Sequence, residues 1–310
     1  MKYNWVSVLG EFQEIENAII FKGGFSKLDE KYISVSIANI ISDQQFGGGI
    51  ISADVEFTGG TAKEKIMNEA CEIILYYDPI SHGLITAGIG GTGLCSIRSF
   101  LGQWTTYGSA GNRELLEYRR KYRLKVSANG SRVSVNLDGV DVVSVNLPFA
   151  LPRGQAGLWC YGQKDVRISS FQVTREKPKA FVVMQFTPPY NELYTDVIKP
   201  VCEELGLRAV RADEEFGPGI IIADIAKQIV EASVIIADIT PINPNVYYEV
   251  GYAHAMHKPT ILVAEKPTPL PFDVSPFRTL FYENTIAGKN KVEAGLRKHL
   301  EAIQKEWSAG

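Results

Sequence analysis

The sequence has no long apolar run. Nothing in it approaches the roughly 18 consecutive apolar residues of a membrane-spanning helix. The opening Met1-Lys2-Tyr3-Asn4-Trp5-Val6 has no apolar core of the kind a secretory leader needs. Charge of one sign is missing too: 32 basic residues stand against 35 acidic ones, a formal net charge of −3. That balance supplies no general drive toward nucleic acid or anionic lipid. Cysteine is sparse. Cys71, Cys95, Cys160 and Cys202 are scattered without CxxC spacing, which argues against a zinc or disulfide framework and for reduced thiols. These absences give the expectation of a cytoplasmic protein that engages neither nucleic acid nor membrane.

What the chain does have is unevenly placed. Residues 1–175 hold 21 of the 28 glycines but only 3 of the 15 prolines. At one domain per roughly 100–200 residues, the 310 residues predict two domains. The polar, proline-bearing Glu176-Lys177-Pro178-Lys179 is the expected hinge, giving domains 1–176 and 180–310.

From about Asn17 to Val173 apolar residues alternate, as in Ile33-Ser34-Val35-Ser36-Ile37, Tyr122-Arg123-Leu124-Lys125-Val126 and Val133-Ser134-Val135-Asn136-Leu137. A period of two puts one side of a strand on a core and the other in water. Asn129-Gly130 and Asp138-Gly139 supply the positive φ that tight hairpins need. Strand following strand predicts an all-β sandwich. The run from Tyr122 through Gly154-Gln155-Ala156-Gly157-Leu158-Trp159 to Phe171 resembles the concanavalin A-like (laminin G-like) jelly rolls, which implies a glycan ligand, a protein ligand or a scaffold role. Gly88-Ile89-Gly90-Gly91-Thr92-Gly93 fits GxGxxG, but Leu94-Cys95-Ser96-Ile97 continues as strand, so a glycine-rich hairpin is expected instead of a dinucleotide site. Asn129-Gly130-Ser131 fits the N-glycosylation pattern and reads as a turn. Trp104, Tyr107 and Trp159 are either core residues or a stacking surface for a sugar ring.

After the hinge the period changes. Phe181–Met184, Leu207–Arg211, Ser233–Ala237 and Thr260–Ala264 read as strands. Tyr190–Leu205, Ile220–Ala232, Val246–His257 and Lys291–Trp307 read as helices. The alternation predicts a doubly wound parallel α/β sheet, which binds ligands beyond its carboxyl strand ends. Residues just past the strands are Gln185-Phe186-Thr187, Asp213-Glu214-Glu215 and Asp238-Ile239-Thr240. Asn243 caps the third helix with Pro244 at its first position. Glu249 lies about a turn and a half further in. It is either a solvated helix residue or a carboxylate turned toward the strand ends, walled by Tyr248 and Tyr252, with Gly251 permitting close helix–sheet approach. In the second case it can attack or stabilise an oxocarbenium-like anomeric carbon. His254 and His257 lack a third ligand, so helix-end packing is expected there and no metal site.

Phe181-Val182-Val183-Met184-Gln185-Phe186, Arg211-Ala212-Asp213, Ile236-Ala237-Asp238-Ile239-Thr240 and Asn243-Pro244-Asn245-Val246-Tyr247-Tyr248-Glu249-Val250-Gly251-Tyr252 resemble the nucleoside 2-deoxyribosyltransferase-like superfamily. More narrowly they resemble its TIR-like, nucleotide-binding bacterial branch. The resemblance covers roughly residues 180–265 and implies a flavodoxin-like/TIR-like fold. It implies Glu249 and Asp238 as catalytic residues, Asp238 orienting sugar or base. It leaves Gln185, Phe186, Asp213, Thr240, Asn243, Asn245, Tyr248 and Tyr252 as substrate-binding candidates. The approach to the glutamate, Asn243-Pro244-Asn245, is stiffer and less acidic than the glycine-containing loop of the transferases.

The expectation is therefore a multidomain chain, an N-terminal all-β jelly-roll sandwich followed by a C-terminal α/β doubly wound parallel sheet. Its expected activity is an N-glycosidase acting on a nucleotide, nucleoside or NAD-like small molecule, with no cofactor. The sandwich senses or assembles, on a glycan or protein ligand or as a homo-oligomer. The alternative is a nucleotide-signal-binding module without turnover. By analogy with the resemblance, such a pairing suits bacterial antiphage defence.

Overall fold

The computed structural model describes residues 3–29, 32–61, 64–66, 68–213 and 221–309. The main chain passes from one compact unit to a second between Glu176 and Lys177.

In the first unit one sheet runs in the order β1 (Trp5–Leu9), β5 (Tyr32–Phe46), β14 (Gly154–Gly162), β7 (Ala70–Tyr77), β8 (Leu84–Ile89), β9 (Cys95–Phe100) and β10 (Trp104–Ala110), with β4 (Phe25–Asp29) beside β5. The other runs β13 (Val140–Asn146), β12 (Arg132–Leu137), β11 (Lys121–Asn129), β6 (Gly49–Phe57), β15 (Val166–Arg175), β3 (Ala18–Phe21) and β2 (Phe12–Ile15). Alternation decides which side faces in. Along β11, Tyr122, Leu124, Val126 and Ala128 are buried while Lys121, Arg123 and Lys125 are exposed. A single core cluster takes Ile73, Ala87, Ile97 and Leu158 from the first sheet and Phe21, Val55, Val126 and Val135 from the second, so the two sheets form a jelly-roll-like sandwich.

Local turn chemistry follows the sequence. Asp138 (φ 52) and Gly139 (φ 90) both take left-handed geometry between β12 and β13, as a two-residue hairpin requires. The GxGxxG stretch joins β8 to β9 as a hairpin, with Ile89 opposite Cys95. A side chain at Gly91 would run into the Glu72 carboxylate, so that glycine serves packing. β1 and β2 precede the region where alternation was legible. All of β1 beyond Trp5 is exposed, so it carries no buried stripe to read.

The second unit is a five-stranded parallel sheet ordered β17 (Arg208–Arg211), β16 (Lys179–Val183), β18 (Val234–Asp238), β19 (Thr260–Glu265) and β20 (Thr279–Tyr282). This is the 2-1-3-4-5 order of doubly wound sheets. Successive residues serve opposite faces. Val182, Ile236 and Val263 join one cluster and Phe181, Ile235 and Leu262 another, which is why the central strands read as continuous apolar runs. On the first face lie α1 (191–204) and α4 (Ile286–Ala309), through Val197, Val201, Leu296 and Leu300. On the second lie α2 (Ile221–Glu231) and α3 (Pro244–Ala255), through Ile225, Ile229, Val246 and Val250. Truncating a side chain as buried as Leu296 costs about 2–5 kcal/mol.

Helix ends match their signals. Gly206 (φ 74) closes α1, with the Leu207 amide donating to the Cys202 carbonyl at 2.8 Å. Inside α1 the turn widens into a π segment over Tyr194–Ile198. Pro200 follows it and cannot supply the amide that would bond Asp196. Two sequence expectations change. Helix α4 begins at Ile286, five residues before the expected Lys291. β20 was not foreseen, because the crossover before it carries Pro267, Pro269, Pro271 and Pro276 and forms no helix. The predicted start of α2, Ile220, lies outside the described residues, as do Glu214 and Glu215. No described helix is long and apolar enough to cross a membrane.

Candidate functional site

The order of the parallel sheet reverses between β16 and β18, and ligands of such sheets bind beyond the carboxyl ends at that switch point. Asp238, the last residue of β18, is fully buried there. Its Oδ1 accepts from the Thr240 amide and its Oδ2 from the Tyr282 hydroxyl, each at 3.0 Å. Burial pushes its pKa up to about 7, helped by the Glu265 charge and opposed by the two hydrogen bonds. Near neutrality this carboxyl therefore occupies both protonation states. Burial and the Asp238 charge in turn hold the Tyr282 phenol well above its ordinary value.

Thr240 braces the loop. Its hydroxyl accepts from the Glu265 amide at 2.9 Å and lies 3.3 Å from the Thr268 hydroxyl. Asn243 caps α3 by accepting from the Asn245 amide at 3.0 Å, with Pro244 at the first helical position. From that start, Val246, Glu249, Val250 and Ala253 face inward. Glu249 keeps 7% of its surface exposed, and no hydrogen bond or ion pair to its carboxylate occurs among the described residues. Burial alone raises its pKa to about 7. A largely buried carboxylate with a raised pKa and no partner among the described residues is a candidate for chemistry.

The other expected residues divide between two places. Phe186 and Asp213 meet through Arg211. The guanidinium lies 4.2 Å from the Phe186 ring centroid and 5.2 Å from that of Tyr194, and it grips Asp213 by two bonds of 2.7 and 2.5 Å. Gln185 donates to the Thr187 hydroxyl at 3.0 Å. On α3, Tyr252 is half-buried against the core, whereas Tyr248 is 56% exposed. Gly251 is corrected: a Cβ there meets nothing within 4 Å, so it faces open space and permits no close helix–sheet approach. His254 stacks on Phe277 at 4.1 Å, the packing role expected of it. The backbone ends α3 at a left-handed His257.

A cavity of about 230 Å³ opens at the carboxyl edge, on the side covered by α1 and α4. Tyr190, Leu193, Val197 and Val292 give it apolar walls, and Glu265 and Tyr282 reach it from the strand ends. Tyr282 thus joins the cavity to Asp238. Sequence reasoning missed Arg211, Glu265 and Tyr282. Glu265 ends the fourth strand, one residue past the Ala264 expected from the sequence, where the strand-end rule also applies, while Tyr282 sits on the unforeseen β20.

The sandwich holds a different cluster. Glu72 accepts from Thr86 and Ser96 hydroxyls at 2.7 Å each and from Arg98 at 2.6–3.2 Å. The Arg98 guanidinium lies 4.0 Å from the Trp104 ring centroid and 4.8 Å from that of Trp159. Trp159 is 6% exposed and Trp104 38%. Tyr107 is half-buried with its hydroxyl 3.1 Å from that of Ser99. The aromatics expected either in the core or on a sugar are thus largely committed to internal partners. All four cysteines are buried free thiols.

No protein-family model and no curated protein matches the chain. Among solved structures, a carbohydrate-binding module, CBM66 from Bacillus subtilis, is 16% identical with a TM-score of 0.43, covering 54% of this chain and 92% of its own. A galectin-like protein of unknown function from Bacillus subtilis is 12% identical with a TM-score of 0.38, covering 56% and 91%. The TIR domain of the Toll-related receptor TRR-2 from Hydra magnipapillata is 15% identical with a TM-score of 0.33, covering 40% and 97%. The architecture of each unit rests on its own strand order and core.

Proposed function

We propose that the α/β unit cleaves the N-glycosidic bond of a nucleotide, nucleoside or NAD-like ligand with Glu249 as nucleophile. The observation that carries this reading is Glu249 itself: buried, without partners among the described residues, titrating near neutrality, on the helix that leaves the switch-point strand. An ionised Glu249 oxygen adds to the anomeric carbon as the carbon–nitrogen bond breaks. The base departs with the bonding pair. A neutral base takes up a proton, and a pyridinium base leaves uncharged. Water then cleaves the glycosyl ester, or a second base does so in a transfer. Asp238, near its own midpoint at neutral pH, orients sugar or base as donor or acceptor. The resemblance of the Asn243–Tyr252 run to deoxyribosyltransferase-like enzymes supports the same residue. The test is free base released from NAD, nucleoside monophosphates and deoxynucleosides. Release from at least one, lost in Glu249→Gln, is expected; no release, or equal release by the variant, overturns the mechanism.

A second reading keeps the ligand and removes turnover. Below pH 7 Glu249 is mostly protonated and binds without attacking. A ligand-dependent rise in Tm that survives Glu249→Gln, with no product, supports it. For the sandwich we infer glycan recognition, one of the ligand classes that its resemblance to the concanavalin A-like jelly rolls implies.

A further inference from the structure

We propose that the sandwich binds a saccharide in the groove bordered by β1, the β2–β3 hairpin and β15, away from Trp104 and Trp159. The proposal rests on the glycan reading of the sandwich and assigns it a place. The groove measures about 840 Å³, within the size range of small-ligand sites.

One wall is aromatic. Tyr3, Trp5 and Phe171 meet edge to face, with ring centroids 5.0–6.1 Å apart. The Tyr3 hydroxyl accepts from the Val173 amide at 3.3 Å, which fixes the ring against β15. The rings stand at 66–86° to one another, so together they present an apolar wall of ring edges and faces. The remaining lining supplies carboxylates from Glu14 and Glu16, an amide from Asn17 and hydroxyls from Ser169 and Ser170. The charged side chains that line the groove among the described residues are the carboxylates Glu14 and Glu16, which repel phosphate and other anions. Donors and acceptors facing an apolar wall suit a ligand with a C–H face and a hydroxyl edge.

The backbone adds an independent observation. Asn17 (φ 61) and Ser170 (φ 52) both take left-handed geometry beside the rung that pairs Ala18 with Ser169. The β15 ladder to β6 is irregular between Ser169 and Gln172. At Asn17 this is the geometry that the two-residue β2–β3 hairpin requires, whereas Ser170 takes it within the irregular stretch of β15, and both polar residues line the groove. Bulges of this kind re-aim side chains near binding sites.

The test uses the full chain and tetrasaccharides of glucose, galactose and N-acetylglucosamine, followed by saturation-transfer NMR and tryptophan fluorescence. Asn17→Gly with Ser170→Gly removes the amide and hydroxyl but keeps the left-handed backbone, so the fold is retained. At least one sugar is expected to bind, and the double variant to weaken it by about tenfold or more at unchanged Tm. Trp104→Ala is expected to leave that affinity unchanged. Binding that survives the double variant overturns the groove, and its loss in Trp104→Ala moves the glycan site to the Arg98 cluster. No binding to any of the three sugars overturns the glycan reading along with the groove.

Discussion

Glu72 on β7 and Glu249 on α3 are both buried carboxylates, yet their surroundings have opposite logic. Glu72 is fully enclosed and receives two hydroxyls and a forked guanidinium, which is itself flanked by two tryptophans. Glu249 is nearly as enclosed and meets no such groups among the described residues. A buried charge held by several partners fixes strands in place, whereas a carboxylate without them shifts toward its neutral form. Burial alone therefore does not decide the state of an acid; the partners do.

The sharpest break of this comparison is catalytic. With a productive substrate, Glu249→Gln should lower base release by about 10³-fold or more, while Glu72→Gln leaves the rate per folded molecule unchanged. Chromatographic product assays check both. Next is stability of the sandwich. Arg98→Ala strands the Glu72 charge and should destabilise that unit by about 3–5 kcal/mol, read from denaturant unfolding.

The third prediction inverts the sign. Glu249 is raised in the fold from 4.5 to about 7, so its protonated form is the one the fold favours. Its favourable contribution is complete below pH 4.5 and is lost as pH rises through about 7. Glu249→Gln should therefore be more stable than the parent at pH 8, by on the order of 3 kcal/mol, with the gap closing by pH 4. Thermal melts across that range measure it, and a gap independent of pH would mean the carboxylate is solvated. The smallest expected effect is at Asp238. Tyr282→Phe removes one of its two hydrogen bonds, which should cost about 1 kcal/mol and move the Asp238 titration upward. Carboxyl NMR reads the shift.

The same contrast explains what the sequence could reveal. Strands β16, β18 and β19 were legible because both faces are buried and their apolar runs are unbroken. The α3 start was legible because capping is local chemistry among Asn243, Pro244 and Asn245. β20 was hidden because Thr279–Tyr282 is a short edge strand with only Tyr282 buried. Contacts such as Tyr282 with Asp238, or Arg98 between two tryptophans, join residues that only the folded sheets bring near. Gly251 misled because a glycine on a helix carries no mark of which way it faces.

The most direct measurement is the titration of Glu249 itself, followed by 13C NMR of its labelled side-chain carboxyl in the full chain. The account predicts a midpoint at about 7. A midpoint at the ordinary 4.5 would show a solvated or partnered carboxylate and contradict it.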